Sequence, residues 1–453
     1  MKNTLLLATL AVLVLVAFTP STLFGQAVNY AQIQGRIMDE TGAVVPGAQI
    51  KVTQVATGLV RTTPSNDEGQ YFLPNLPVGP YQLRVTMHGF RDYIQDGIVL
   101  QVGVTAQIDV KLQIGAVTAV VQVEADTGMV ETRQNSISTV IDNSRIMELP
   151  LNGRNAPNLI MIAGAASNNS LPSQDLMSSK NYGNGTSGAS QTISVAGGQQ
   201  NANNYLLDGG DNNDAFSNVN SPFPFPDAIQ EFSVQNNGLS ARYGVHAGAV
   251  INVVTKSGTN NFHGNLFEFL RNPITNAQHE HFTPVAPGFK DDTMKRNQFG
   301  GTLGGPIKKD KLTFFVGYQG TRQASTPPPI ATHVPTSAAL AGDFSTMMSG
   351  ACQSNGKAKT LKAPFVNNRI NPSLYNAASL ALAKYLPAAA DPCGNVSFTI
   401  PGIVNEDMVV SKVDWNLSDK HTFFTRYLFT DFRAPVAFDA SNILPQGQTA
   451  SQL

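Results

Sequence analysis

The stretch Ala249 to Arg271 reads AVINVVTKSGTNNFHGNLFEFLR, and two different kinds of strand meet in it. Ile251, Val253 and Val254 form a β-branched run expected as a buried strand. Lys256 to Asn261 is a polar turn, and Phe262 to Leu270 is an aromatic-bearing run of another texture. Upstream, the chain is rich in Asn, Gly and short apolar runs; downstream, aromatic strands are separated by long polar loops. The stretch therefore marks a junction between two domains.

Working outward to the N-terminus, Lys2 precedes an apolar segment from Leu5 to Phe18, and Gly25-Gln26-Ala27 supplies the small residues a signal peptidase needs. A helical span needs about 20 apolar residues, and Pro20 interrupts this one too early. Residues 1–27 are thus expected to be a secretory signal peptide rather than an anchor. No later apolar run is long enough for a helical span, so a mature chain that enters a membrane must do so as a barrel.

Charged residues make up 13% of the chain, against about 25% in an ordinary soluble domain. Its polarity comes from Asn, Gln, Ser, Thr and Gly, which suits an extracytoplasmic β-protein with a wet interior and also suits a soluble adhesive sandwich. A formal net charge of -1 offers no clustered basic surface for nucleic acid, and none is expected as a partner. The two cysteines, Cys352 and Cys393, have no CxxC spacing and no neighbouring histidine cluster. In an exported protein they most simply close one loop as a disulfide; two free thiols or a metal site are the alternatives.

From Gln32 to Gln113 apolar and polar residues alternate in short runs, as in Ile33, Gly35, Ile37 and Tyr81, Leu83, Val85, Met87, with turn signals such as Pro46-Gly47 and Asp67-Glu68-Gly69 between them. About seven half-buried strands in about 80 residues predict a small β-sandwich. The segments GRIMDETGAVVPGAQIKV and TTPSNDEGQYFLPNLPVGPYQLRVTMHGF resemble the carboxypeptidase-regulatory-like domain, a transthyretin-like sandwich, here assigned to 28–115. Zinc peptidases need two His and a Glu on the metal, whereas this region offers only His88, so a structural or docking role is expected.

Residues 116–256 mix short helices and strands. Asn143 to Ile146 opens a short helix, LPLNGRNAPNLIMIAG predicts a turn and another helix, and Ala165 to Ser190 is expected to be a mobile loop. The cluster of Asp208, Asp211 and Asp214 with Asn212 and Asn213 has oxygen ligands for calcium but lacks EF-hand spacing, and a self-capping turn explains it better. After Asn260, Leu312, Phe314, Val316 and Tyr318 alternate with Thr313, Gly317 and Gln319. Phe423, Tyr427 and Phe429 likewise face away from Thr422 and Arg426. That is the apolar-out, polar-in dyad of a membrane barrel, with a short turn near Ser418 to Lys420 and a long loop at 324–404 at the opposite end.

Taken in order, LPLNGRN (149–155), PDAIQEF (226–232), TKSGTNNFHG (255–264), FEFLRN (267–272), RNQFGGTLGGPI (296–307) and VPT with GDFS (334–345) resemble TonB-dependent outer-membrane receptors of the Oar-like group. The resemblance implies a mainly β chain with the sandwich first, an α+β plug domain at 116–256, and the opening strands of a transmembrane β-barrel from 257. It further implies an outer-membrane location, contact with outer-membrane lipid, and energising by the inner-membrane TonB complex. The TonB contact falls by position on Thr118, Ala119, Val120, Val121, Gln122, Val123, Glu124 and Ala125, a β-prone segment able to add as a strand to a partner's sheet. The plainer alternative for that segment is a last sandwich strand or a linker.

Plugged transporters have about 22 strands of roughly ten residues, which is more chain than follows Asn260. An incomplete barrel with open sheet edges is therefore expected, on an N-terminal fragment or truncated product. As a receptor, the chain would take up an unidentified small or oligomeric ligand, whether glycan, peptide or metal chelate. Asn203, Asn204, Asp208, Asp211 and Asn212 are expected to face it. The alternatives are a surface adhesion or interaction protein that presents the sandwich outward, and a non-functional remnant. An enzyme is not expected, since HExxH, GxSxG and GxxxxGK[ST] are all missing from the sequence. No cofactor or metal is expected either, because alternation along a strand would split Glu280 from His279 and His281.

Overall fold

The computed structural model describes residues 30–115, 120–124, 137–168, 193–199, 202–214, 218–236, 248–275, 293–326, 330–399, 402–419, 421–433 and 442–444. The expected signal peptide, most of the expected mobile loop and the His279 to His281 cluster lie outside them.

The first unit contains β1 (Ala31–Asp39), β2 (Gln49–Gln54), β3 (Val60–Pro64), β4 (Gln70–Leu76), β5 (Gly79–Thr86), β6 (Asp92–Leu100), β7 (Thr105–Gln107), β8 (Val110–Leu112) and β9 (Val120–Glu124). One sheet has the order β4-β1-β7 with β8 also on β1; the other runs β3-β2-β5-β6-β9. Alternation along β1 buries Ile33, Gly35 and Ile37 on one face. Ile50, Val52, Leu83 and Val85 close over them from the second sheet, each worth about 1.5–3 kcal/mol of burial. The buried phenols have partners: Tyr71 donates to the Ile108 carbonyl and Tyr81 to that of Pro77, each at 2.8 Å.

The central unit contains β10 (Ile137–Asp142), β11 (Ala166–Asn168), β12 (Ile193–Val195), β13 (Asn204–Leu207), β14 (Gly210–Asp211), β15 (Ile229–Asn236) and β16 (Val250–Thr255). Its main sheet has the order β10-β15-β16-β13-β14. Every residue of β16 is buried, as the run VINVVT requires of a central strand. Helix α1 (Asn143–Glu148) starts where the Asp142 side chain accepts the Arg145 N–H, and Ile146 sinks into a core with Leu159, Phe223 and Phe232. The expected second helix is present as 3-10 turns, Asn152–Arg154 and Ala156–Ala163.

Beyond the junction lie β17 (His263–Arg271), β18 (Lys295–Lys308), β19 (Leu312–Ser325), β20 (Ile330–His333), β21 (Asn395–Phe398), β22 (Gly402–Asn416) and β23 (Thr422–Arg433). The order β17-β18-β19-β22-β23 is an antiparallel meander. Among the described residues this sheet does not close, and β17 and β23 are its edges. Residues 309–311 turn the chain at one end, and Leu417 to Asp419 lie at that same end between β22 and β23. At the other end the described residues 330–399 make a long excursion, with β20 paired to β21 at its base, helices α2 (Ser337–Leu340) and α3 (Ala377–Ala383), and a Cys352–Cys393 disulfide.

The two faces of this sheet differ as the period of two demands. Leu266, Leu270, Trp415, Phe423, Tyr427 and Phe429 are exposed on the outside. Gln298, Thr313, Gln319 and Thr321 are buried against the central unit on the inside. At the junction an added Cβ on Gly258 would lie 2.2 Å from the Phe314 carbonyl oxygen, so only glycine lets the chain pass this close to β19.

Candidate functional site

The inner face of the strand sheet meets the central unit through buried charge. Asp208 follows β13 in the left-handed region, φ 47°, which an aspartate tolerates in a turn. Its carboxylate accepts the Thr255 N–H at 2.8 Å and the Thr255 hydroxyl at 2.7 Å. It also meets Arg426 Nη1 of β23 at 2.9 Å and Lys412 Nζ of β22 at 3.5 Å. Burial alone would push this carboxyl up; Lys412 and Arg426, then Thr255, outweigh it and hold it below its ordinary value. One anion of the central unit thus bridges two neighbouring strands.

A second cluster forms where the LNGR turn enters the sheet's concave side. Arg154 is buried, pairs with Asp227, and donates through Nε to Gln319 Oε1 at 3.0 Å. Its guanidinium lies 4.6 Å from the Phe267 ring centroid and 4.2 Å from that of Phe269, a fit that a lysine ammonium lacks. Gln298 of β18 donates to the Gly153 carbonyl at 3.0 Å, and Arg296 to Asn152 at 3.3 Å. Both the charge and the backbone of the turn are therefore bound by strand residues.

The sandwich joins at the short-turn end. Asn260 N–H donates to the Ala56 carbonyl at 2.9 Å, Asn260 Nδ2 to Asp310 at 2.7 Å, and Arg61 to the Thr422 hydroxyl at 3.3 Å. A cavity of about 160 Å³ at this three-way junction is lined by Tyr30 and Pro80 of the sandwich, Ser257 of the connector, and Lys412, Asp414 and Phe424 of the sheet. Nearby, Glu231 on β15 accepts the Val102 N–H at 2.9 Å across the sandwich contact. Burial raises its carboxyl to about 7; the Val102 amide opposes this and the charge of Asp142 adds to it.

Residues 254–452 match the family described as "Outer membrane beta barrel domain", and residues 32–113 match "Carboxypeptidase regulatory-like domain". The TonB-dependent transporter Oar of Myxococcus xanthus is 27% identical over 285 residues, which is 60% of this chain and 25% of that protein. The chain is similar to TonB-dependent outer-membrane receptors. It spans a quarter of the length of this curated relative. Among solved structures, a mutant of the ferric enterobactin receptor of Pseudomonas aeruginosa is 16% identical, with 69% of this chain and 35% of that one covered at a TM-score of 0.35. The outer membrane transporter YddB of Escherichia coli is 13% identical, with 66% and 33% covered at 0.38. The barrel family puts this receptor relative in the outer membrane.

Two residues expected to face ligand are interior in this receptor relative. Asn203 is fully buried, donating to the Ile193 carbonyl at 2.6 Å and accepting the Ala249 N–H at 3.1 Å. Asp208 is the buried ion-pair partner described above. Asn204 lies half-buried on β13, Asn212 donates to the Ser221 carbonyl at 3.0 Å, and Asp211 is exposed while accepting the Asn213 N–H. Turn residues default to solvent in a free domain, but here a sheet wraps the turn and supplies cations. Of the Thr118 to Ala125 segment, the described part is β9, which pairs parallel with β6; Thr118, Ala119 and Ala125 lie outside the described residues. Reading the sequence did not single out the buried charged residues Arg154, Asp227, Glu231 and Lys412, which join the three units. The available signal was a charge on the inward position of a strand or in an otherwise apolar motif.

Proposed function

We propose that this chain is a receptor component for TonB-energised uptake across the outer membrane, in which the central unit acts as a plug held against the barrel wall. The observation that carries the reading is the position of the sandwich. It contacts Asn260, Asp310 and Thr422 at the short-turn end, while the disulfide-closed excursion projects from the opposite end. In a barrel the short turns face the periplasm and the long loops face outward. The sandwich is then periplasmic, on the side where an inner-membrane motor works, and the excursion is available to ligand.

The buried pairs fit a plug that must stay seated until pulled. Ion pairs buried between two bodies are costly to break one partner at a time, so the seat resists spontaneous opening yet yields to directed force. The cargo is a glycan, a peptide or a metal chelate, and the excursion with the upper plug is its entry surface.

The test is topological. An epitope inserted at Gly356 in the excursion should bind antibody on intact cells, and one at Gly42 in the sandwich should bind only after the outer membrane is permeabilised. Surface labelling of the Gly42 insertion on intact cells would replace this reading with that of an adhesion protein presenting its sandwich outward.

A further inference from the structure

The sandwich sheet β4-β1-β7 buries Ile33, Gly35 and Ile37, so it turns Gln34 and Arg36 to the outer face. The register sets two rows of side chains across that face. Phe72 of β4 lies opposite Gln34 of β1, which lies opposite Gln107 of β7. In the next row Gln70 lies opposite Arg36, and Asp109, just past β7, accepts the Arg36 N–H at 2.8 Å. Hydrogen bonds already orient the middle of the face: Gln34 donates to Gln107 Oε1 at 3.1 Å, and Gln107 donates to Asp109 Oδ1 at 2.8 Å. Each of these amides keeps its second N–H for an incoming group. All six side chains line one open cleft of about 580 Å³, within the roughly 300–1,000 Å³ of small-molecule sites. Phe72 breaks the strand's pattern, because an outward position calls for a polar residue and here a large apolar ring stands 49% exposed.

We propose that this cleft binds a glycan chain, the N-acetylhexosamine polymer of the cell wall. The source of the glycan rests on the transport reading, which puts the sandwich in the periplasm; the site rests on its own residues. The C–H face of a sugar ring packs on an aromatic ring, and its hydroxyl and acetamido groups take paired donors and acceptors from planar amides. Phe72 supplies the first, and Gln34, Gln70 and Gln107 supply the second. Arg36 and Asp109 offset one another, so the cleft has no excess of positive charge for an anionic lipid or nucleic acid and no excess of negative charge for a basic peptide. Because Gln34 and Gln107 are held before the ligand arrives, less side-chain freedom is lost on binding. The face carries none of Ala56, Arg61 and Val102, through which the sandwich bonds the other units, so the sandwich can hold the wall and the receptor together.

The experiment uses the full chain in detergent, titrated with chitohexaose, a β-linked hexamer of N-acetylglucosamine, and separately sedimented with purified cell-wall sacculi. The wild type should bind both. Phe72→Ala should bind chitohexaose about tenfold more weakly, as expected for the loss of one aromatic contact, and Phe72→Tyr should retain the affinity. Gln107→Ala, at the far end of the same row, should also weaken binding and serves as the second variant. Lys51→Ala, exposed on the other sheet, should leave the affinity unchanged. Phe72 and Gln107 are exposed, so melting temperatures of the variants should match that of the wild type. Undiminished affinity in both Phe72→Ala and Gln107→Ala, or an equal loss in Lys51→Ala, overturns the site. Absence of chitohexaose binding overturns the ligand class. Chitohexaose binding without sedimentation on sacculi overturns the wall as its source. Labelling of the Gly42 epitope on intact cells would remove the transport reading and the wall assignment together, whereas the titration judges the cleft by itself.

Discussion

Asp208 and Arg426 are 218 residues apart in sequence and 2.9 Å apart in space, joining the turn after β13 to the edge strand β23. Lys412 approaches the same carboxylate from β22. A turn of the central unit and two strands of the open sheet therefore share one buried anion, and its removal affects both units.

Replacing Asp208 with Asn should destabilise the folded protein by about 3–5 kcal/mol, since two cations are left without their counter-charge in a buried site. Thermal unfolding in detergent would read the loss. Adding Arg426→Gln should recover part of it, as expected for residues that interact directly. A cost below about 1 kcal/mol would mean that the pair behaves as a surface ion pair and does not seat the plug.

The contact between Glu231 and Val102 predicts a pH dependence with a definite sign. The folded-state carboxyl is raised from 4.5 to about 7, so between those values the folded state holds a proton that the unfolded state has lost. Stability from this group is fully present below about 4.5 and falls as pH rises through about 7, by up to about 3 kcal/mol. Melting curves from pH 5 to 8 should show that decline, and Glu231→Gln should flatten it. An unchanged slope in the variant would assign the decline to other groups.

Gly258→Ala should disturb the junction, because the new methyl would press on the Phe314 backbone rather than on a movable side chain. Forced backbone displacement of this kind costs about 1–3 kcal/mol. A lower urea midpoint for the variant is the expected result, and an unaltered midpoint would show that the connector relaxes freely.

The Cys352–Cys393 bridge closes a separation of 41 residues within the excursion. In the chain-entropy treatment such a closure is worth roughly 4 kcal/mol. The double variant Cys352→Ser, Cys393→Ser should therefore cleave faster in the excursion under limited proteolysis while the barrel strands stay resistant. Equal cleavage rates would mean that the helices and the pairing of β20 with β21 hold the excursion unaided.

The sequence by itself determined the strands and the direction each face points. Alternation at Leu312 to Gln319 and at Phe423 to Phe429 follows from the strand's period of two, a local property that survives whatever packs nearby. The alternating aromatic strands, the change of texture after Asn260 and the sandwich strands were legible for that reason. Only the tertiary structure decided which polar groups meet. Asp208 and Asn203 sit in a stretch whose local chemistry says turn, and a turn is normally wet; here a sheet encloses it, and Lys412 and Arg426 arrive from more than 200 residues away. Arg154 was visible as part of a motif, yet its seat between Asp227, Gln319 and two phenylalanine rings depends on strands that no local pattern aligns. Local sequence sets periodicity through backbone geometry, whereas charge pairing is set by distance in space, and only the fold supplies that.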